Sequence, residues 1–508
     1  MTDSLLIKNG IIITLGPHNR VLRNHSILCE DGVIKKIAPS STFRPRPPSS
    51  PFSKRGKTNA NPAHSRVIDA DGKVVMPGFI NAHMHFYSTM ARGLIKAAPS
   101  KDFNQVLENL WWRLDKKLTL DDCYYSALVP LLDAVRHGTT TLIDHHASPG
   151  AIRGSLSRIA NAVETVGLRA SLCYEVSDRD GAKAAREGIE ENCDFIGRCD
   201  LHSNQAATIW ESPVSMEADR PRHGDAETRG RGVGRRDRAE TTEPRPSGSG
   251  QDALLKALFG LHASFTLSDR TLEAAAEAGA RLGAGFHVHV AEAESDQKQC
   301  MKKHRMRVVS RLLKAGILGP RTIAAHCVHV NNKETEILAE TATAVAHNPQ
   351  SNMNNAVGVA RVLDMLKRGV LVGLGTDAMT VNMLEEMRCG IWAQRLANRN
   401  PSVAFGEIVS ALLYGNAAIA NRYWDCGLGE LQAGNAADII LLDYLPPTPL
   451  DDTNYMGHVA FGLSQSCVDS TVVNGKVLME RKRLKVDIDE REVAARSAEL
   501  AGGLWRRF

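Results

Sequence analysis

No two cysteines stand in a Cys-x-x-Cys pair, although ten are scattered from Cys29 to Cys467. Disulfide staples are not needed in a chain of 508 residues, and scattered thiols read as reduced cysteines of a cytoplasmic protein. No stretch approaches the roughly 20 apolar residues of a membrane span. The segment Met1–Lys8 lacks a basic n-region and a cleavage site, so no secretory signal is expected. A general basic bias is also missing. The net charge is +5, yet residues 41–66 alone hold six Lys/Arg and no acid, more than the whole excess. The folded body therefore presents no basic face for nucleic acid.

What is present is a large globular chain with 43% hydrophobic residues and 41 glycines. Its size fits one large α/β barrel plus a smaller domain. Short strands are expected at Leu5–Lys8, Ile11–Leu15, Ser26–Cys29 and Val33–Ile37, with turns at Gly10 and Asp31-Gly32. A Pro/Ser/Arg-rich loop at 41–65 follows and is expected to be disordered. Strand patterns return at Val67–Val75, and again at Ala437–Asp443 and Ser470–Val477, so both chain ends build one small β domain. The expected division is 1–76 and 426–480 for that domain, 77–425 for the barrel, and 481–508 for a helical tail.

The middle alternates strand-like and helix-like runs, the pattern of a parallel sheet or barrel. Eight strands are expected: Gly78–His85, Thr140–His146, Arg169–Glu175, Leu258–His262, Gly285–Val290, Thr322–His326, Ala344–Asn348 and Leu371–Asp377. Each has a His, Asp or Glu at or beside its C-terminal end, where a TIM barrel builds its active site. Between the third and fourth strands lies 200–251, rich in Arg, Gly, Pro and acids, with eight Lys/Arg against nine Asp/Glu. So long a stretch without periodicity reads as a disordered insert or as a sequence artefact.

The apolar run Val74–Ile80 leads into Asn81-Ala82-His83-Met84-His85. Residues two apart on a strand share a face, so His83 and His85 can converge on one cation. Phe286-His287-Val288-His289-Val290-Ala291-Glu292 repeats the device, with His289 nearer the rim and His287 read as a packed barrel histidine. Gly373–Asp377 ends the eighth strand. His83, His85, His289 and Asp377 make a His₃Asp set for one divalent ion with room for water, Zn2+ first and Fe2+ as the alternative.

With Pro77–His85, His289–Glu292, Ala325-His326-Cys327, Gly375–Asp377, Leu428–Asp438 and Val473–Gly475, the chain resembles the amidohydrolase superfamily, in its metal-dependent chlorohydrolase/deaminase (ATZ/TRZ-like) branch. Leu110–Asp115, Ile143–Pro149 and Gly260–Thr266 extend the likeness to SsnA-type aminohydrolases. The resemblance implies a distorted (β/α)8 TIM barrel with a β-sandwich built from both termini, and metal on His83, His85, His289 and Asp377. Binuclear relatives carry a bridging lysine on strand four. Here that strand reads Leu258-Phe259-Gly260-Leu261-His262, so a single ion is expected.

The implied chemistry is attack of activated water on an electron-poor sp² carbon of an amino-substituted purine, pyrimidine or pterin-like heterocycle, releasing ammonia. Asp377 would take the water proton, Glu292 would protonate the ring nitrogen, and His326 would orient the nucleophile or stabilise the intermediate. His262 resembles the family histidine that contacts substrate, and Trp112, His146 and Asn352 are further expected contacts. Within the pair His145-His146 at most one ring faces the interior. The alternatives are hydrolysis of a non-peptide amide or a halide at the same site, and an inactive metal-binding scaffold. Substrate identity lies in the loops. The expected partner is a small heterocycle, with neither nucleic acid nor membrane, and a homo-oligomer is compatible with the sequence.

Overall fold

The computed structural model describes residues 4–43, 66–204 and 254–508. Most of the expected loop at 41–65 and of the insert at 200–251 lies outside the described residues. At their edges, Ser40–Phe43 forms a 3-10 turn and the helix Ala182–Asn204 runs into the start of the insert.

Both chain ends contribute to one nine-stranded sheet. From the N-terminal side come β1 (Ser4–Ile13), β2 (Val21–Glu30), β3 (Val33–Pro39), β4 (Arg66–Asp69) and β5 (Val74–Pro77). The turn expected at Gly10 is instead a bulge inside β1, with register shifts on both sides of that residue. A Cβ there would come within 2.5 Å of Val75 Cγ2, so glycine lets β5 approach. The turn at Asp31-Gly32 does form, with both residues at positive φ.

The middle of the chain carries nine short parallel strands. They are β6 (Phe79–Met84), β7 (Thr139–Asp144), β8 (Arg169–Leu172), β9 (Leu255–Ala257), β10 (Phe259–Ala263), β11 (Phe286–Val290), β12 (Ile323–His326), β13 (Ala344–His347) and β14 (Val372–Leu374). They form two sheets, β6 to β9 and β10 to β14, each in chain order. The expected fourth strand forms as β10, and a further short strand, β9, precedes it across a break at Leu258: β9 pairs with β8, and β10 pairs with β11. Met84 bridges to Asp377, beside the first and last strands, and Val176 bridges to Leu261. Helices follow most strands, as in a TIM-barrel-like α/β fold. Alternation on β11 sends Phe286 against Gly279 of the helix Asp269–Arg281 and leaves His287 and His289 on the other face.

The C-terminal side completes the terminal sheet with β15 (Ile439–Leu442), β16 (Val468–Val473), β17 (Lys476–Glu480) and β18 (Arg483–Leu484), in the order β18-β17-β16-β15-β5-β1-β2-β3, with β4 on β1. A buried ion pair ties this sheet to the parallel strands: Arg169 Nε on β8 lies 2.8 Å from Asp438 Oδ2, just before β15. The last helix, Glu490–Arg507, lies against the helix Leu120–His137, which begins at a Thr119/Asp122 capping box. Trp505 Nε1 donates to the Met90 carbonyl, Arg507 reaches Asp122, and Arg113 donates to the Phe508 carbonyl. Among the described residues no helix is long and apolar enough to cross a membrane.

Candidate metal centre and cleft

His83 lies near the end of the apolar β6 and His85 directly follows it, and both are buried. His85 Nδ1 faces the His145 carbonyl, and His289 Nδ1 lies 2.9 Å from the His262 carbonyl. A carbonyl only accepts, so each ring carries its proton on Nδ1 and turns Nε2 inward. The two Nε2 atoms stand 3.2 Å apart. Two bare lone pairs at that separation repel, so a positive charge belongs among them. His83 Nε2 is buried without a hydrogen-bond partner. Asp377 closes the group, with Oδ1 3.1 Å from His85 Nε2 and 3.9 Å from His83 Nε2. The sets His83/His85/Asp377 and His83/His289/His326 each have ligand atoms within 4.8 Å of one another. The donor types and their convergence fit a divalent ion.

Electrostatics point the same way. Burial drives His83 and His289 well below the usual histidine range, reinforced by the neighbouring imidazoles, so both rings are neutral, as metal ligands must be. For His85 burial is outweighed by Asp377, which draws the ring up to about 9, so without a cation this ring takes up a proton and supplies the positive charge itself. Burial would raise Asp377, but the His85 hydrogen bond and the His85 and His326 charges hold it well below the usual carboxylate range. His287 is buried, with Nε2 2.9 Å from His83 Nδ1. It packs among the parallel strands and also fixes the His83 ring.

Beside this group stand Glu292 and His326. His326 Nε2 lies 3.6 Å from Glu292 Oε2 and 3.7 Å from Asp377 Oδ2. Burial, and then the Asp377 charge, push Glu292 up to about 7 against the opposing His326 charge and the Asn355 hydrogen bond. Such a carboxyl can both hold and release a proton near neutral pH. His326 and Asp377 both adopt positive φ, so the backbone of both strand ends is strained towards the centre.

A cleft opens above these groups. Glu292, His262 and Trp112 line it. The Trp112 ring lies 6.2 Å from His262, and the Arg179 guanidinium lies over the Trp112 ring at 5.6 Å. Two expected contacts do not reach the cleft. His146 is fully buried against Ser148 and Cys123, because the chain beyond β7 turns its ring outward. Asn352 faces His326, whose Nδ1 is 2.9 Å from Asn352 Oδ1, while Ser351, Asn354 and Asn355 of the same segment line the cleft. Arg113 points to Phe508 and solvent.

Sequence reasoning did not assign roles to Glu175 or Arg179, and it weighed His145 only as the alternative to His146. His145 is the inward ring of the pair, with Nδ1 3.2 Å from Glu175 Oε2 and Nε2 3.1 Å from the His287 carbonyl. Ser351 donates to Asp377. Glu175 ends the third expected strand, and that strand-end position was its only signal.

The profile of the Amidohydrolase family matches residues 74–478. A 5-methylthioadenosine/S-adenosylhomocysteine deaminase of Desulforudis audaxviator is 30% identical, over 87% of this chain and 90% of the relative. A 5'-deoxyadenosine deaminase of Methanosarcina mazei is 30% identical over 99% of both chains. Among solved structures, an adenosine deaminase from Xanthomonas campestris with bound zinc superposes with a TM-score of 0.74 at 19% identity, covering 98% of each chain. The zinc complex of atrazine chlorohydrolase TrzN from Arthrobacter aurescens gives 0.71 at 22%, covering 98% of this chain and all of the other. These two likenesses show the fold, and the match along residues 74–478 places the chain in the amidohydrolase family.

Proposed function

We propose that the protein is a metal-dependent aminohydrolase that deaminates an amino-substituted heterocycle and releases ammonia, with adenine nucleosides as the first substrate class. The observation that carries this reading is the inward pair of Nε2 atoms on His85 and His289, 3.2 Å apart and faced by Asp377. Relatives named as deaminases of adenosine derivatives support the leaving group. We assign a single divalent ion, Zn2+ first, to His83, His85, His289 and Asp377, inside a closed (β/α)8 barrel spanning 77–425 beside a terminal β-sandwich.

A bound divalent cation lowers the pKa of a water towards neutrality. Asp377, ionised across the working pH range, accepts the proton of the attacking water. Glu292 gives its proton to the ring nitrogen beside the reacting carbon and recovers one from the hydroxyl of the collapsing intermediate, while Asp377 passes the water proton to the departing amine. That transfer is worth ~10²–10⁴-fold in rate. His326, between Glu292 and Asp377, orients the nucleophile. Trp112 and His262 hold the flat ring against the cleft wall, where an aromatic face excludes water.

The test is ammonia release by zinc-loaded protein across adenosine, cytosine and pterin substrates, run beside an amide and a chlorinated triazine. Ammonia from an amino-heterocycle is expected. Cleavage of the amide or the chloride alone refutes the deaminase reading.

A further inference from the structure

We propose that Glu386 is a positioning residue: it pins the start of the short helix Pro349–Asn354, and that helix holds Asp377, His326 and Glu292 in one alignment. The inference rests on the aminohydrolase reading, which gives those three groups their tasks. Glu386 lies on the helix Met383–Asn398, does not line the cleft, and is fully buried.

Three side chains of one short segment reach the three groups separately. Ser351 donates to Asp377. Asn352 Oδ1 lies 2.9 Å from His326 Nδ1. Asn355, directly after the helix, donates to Glu292 Oε1 at 3.2 Å and to Ser351 Oγ at 3.3 Å. A turn or slide of this segment would therefore shift all three groups at once.

Six residues are too few to hold a helix by themselves. Its own start supplies little. Asn348, the residue before it, makes no side-chain capping bond, and Pro349 has no N–H to fix. The first free N–H belongs to Gln350, and Glu386 Oε1 accepts it at 3.0 Å from 36 residues along the chain. One turn further on the same face, a Cβ at Gly390 would stand 3.5 Å from Pro349 Cγ, so the two helices meet at this end. Among the described residues this is the one hydrogen bond of the Glu386 side chain, and its Oε2 has no partner. A buried carboxyl so sparsely bonded packs worse than a leucine of similar size. Packing does not account for a carboxyl here, and the bond to Gln350 does.

Zinc-loaded wild type, Glu386→Leu and Glu386→Gln are compared in ammonia release and in hydrogen exchange at the amides of residues 349–355. Leucine fills the space without an acceptor. Its kcat should fall on the order of 10- to 100-fold, the loss for misaligned reacting groups, with zinc content kept. Its KM should stay within about threefold, because substrate contacts are untouched. Exchange at 349–355 should quicken on the order of tenfold, as for a lost cap. Glutamine offers a carbonyl oxygen to the same N–H and should restore both readouts. Wild-type kcat in Glu386→Leu overturns the proposal, as does a rise in KM that accounts for the whole loss, or a glutamine variant as slow as the leucine one. If Glu386→Leu does not fold, Glu386→Asp, which withdraws the oxygen by one methylene, is held to the same outcomes. No ammonia from the wild type with any heterocycle refutes the deaminase reading. Exchange then decides this one, and unchanged protection at 349–355 overturns it.

Discussion

Glu292→Gln should yield a protein that is more stable and nearly inactive. The carboxyl is 8% exposed, and burial is the leading cause of its rise from 4.5 to about 7. At 1.36 kcal/mol per unit, ionised Glu292 costs the metal-free fold about 3 kcal/mol. The folded state binds the proton more tightly than the unfolded chain. Stability from this group is therefore complete below pH 4.5 and lost as pH rises through 7. A glutamine does not titrate. Its oxygen can keep the Asn355 contact, which is 3.2 Å in the parent. The variant should match the wild type to within about 1 kcal/mol at pH 5 and exceed it by about 2–3 kcal/mol at pH 8. Urea unfolding of both metal-free proteins at the two pH values measures this. The zinc-loaded variant should lose ~10²–10⁴-fold in kcat. A gain that does not grow with pH, or a variant that keeps its kcat, refutes the reasoning. The expected combination is a trade of stability for proton transfer.

Chelation should abolish ammonia release, and one equivalent of Zn2+ per chain should restore it; restoration that needs two equivalents refutes the single-ion assignment. His287→Phe keeps the packing but removes the partner of His83 Nδ1. It should weaken zinc binding by roughly 10–100-fold in a chelator competition, and an unchanged affinity contradicts the role given to that contact. Arg169→Met leaves the buried Asp438 carboxylate unpaired. It should cost about 3–5 kcal/mol in urea unfolding, and Arg169→Met with Asp438→Leu should recover most of that. A fully additive double variant shows that the pair does not couple the parallel strands to the terminal sheet.

The parallel strands and the convergence of their histidines were legible because they depend on short-range rules. Period-two alternation puts His83 with His85, and an apolar run ending in a charged residue marks a strand end. What the pattern could not place depends on irregular backbone. His145 and His146 lie beyond Asp144, the last residue of β7, where alternation no longer dictates which ring turns inward. Glu175 stands three residues past the end of β8, steered by Tyr174, whose N–H donates to Asn192 Oδ1 on a distant helix. Asn352 sits in the short helix Pro349–Asn354, and helical rotation decides which of its polar residues sees the cleft. The break at Leu258 follows from the need of β9 and β10 to pair with different neighbours. Gly10 looked like a turn because its reason, the nearness of Val75, is a contact 65 residues away in the chain.

The contacts made by the final helix bear on how this protein should be handled at the bench. Arg113, which holds Phe508, is the residue after Trp112 on the cleft wall, and Arg507 donates to the Lys117 carbonyl at the end of the same segment. An affinity tag fused after Phe508 would load those same anchors. Kinetic constants measured on such a fusion would then mix the enzyme's own affinity with the strain passed to Trp112. A tag on the Met1 side joins the chain at the terminal sheet instead, so untagged and N-terminally tagged protein are the preparations in which substrate preference should be compared.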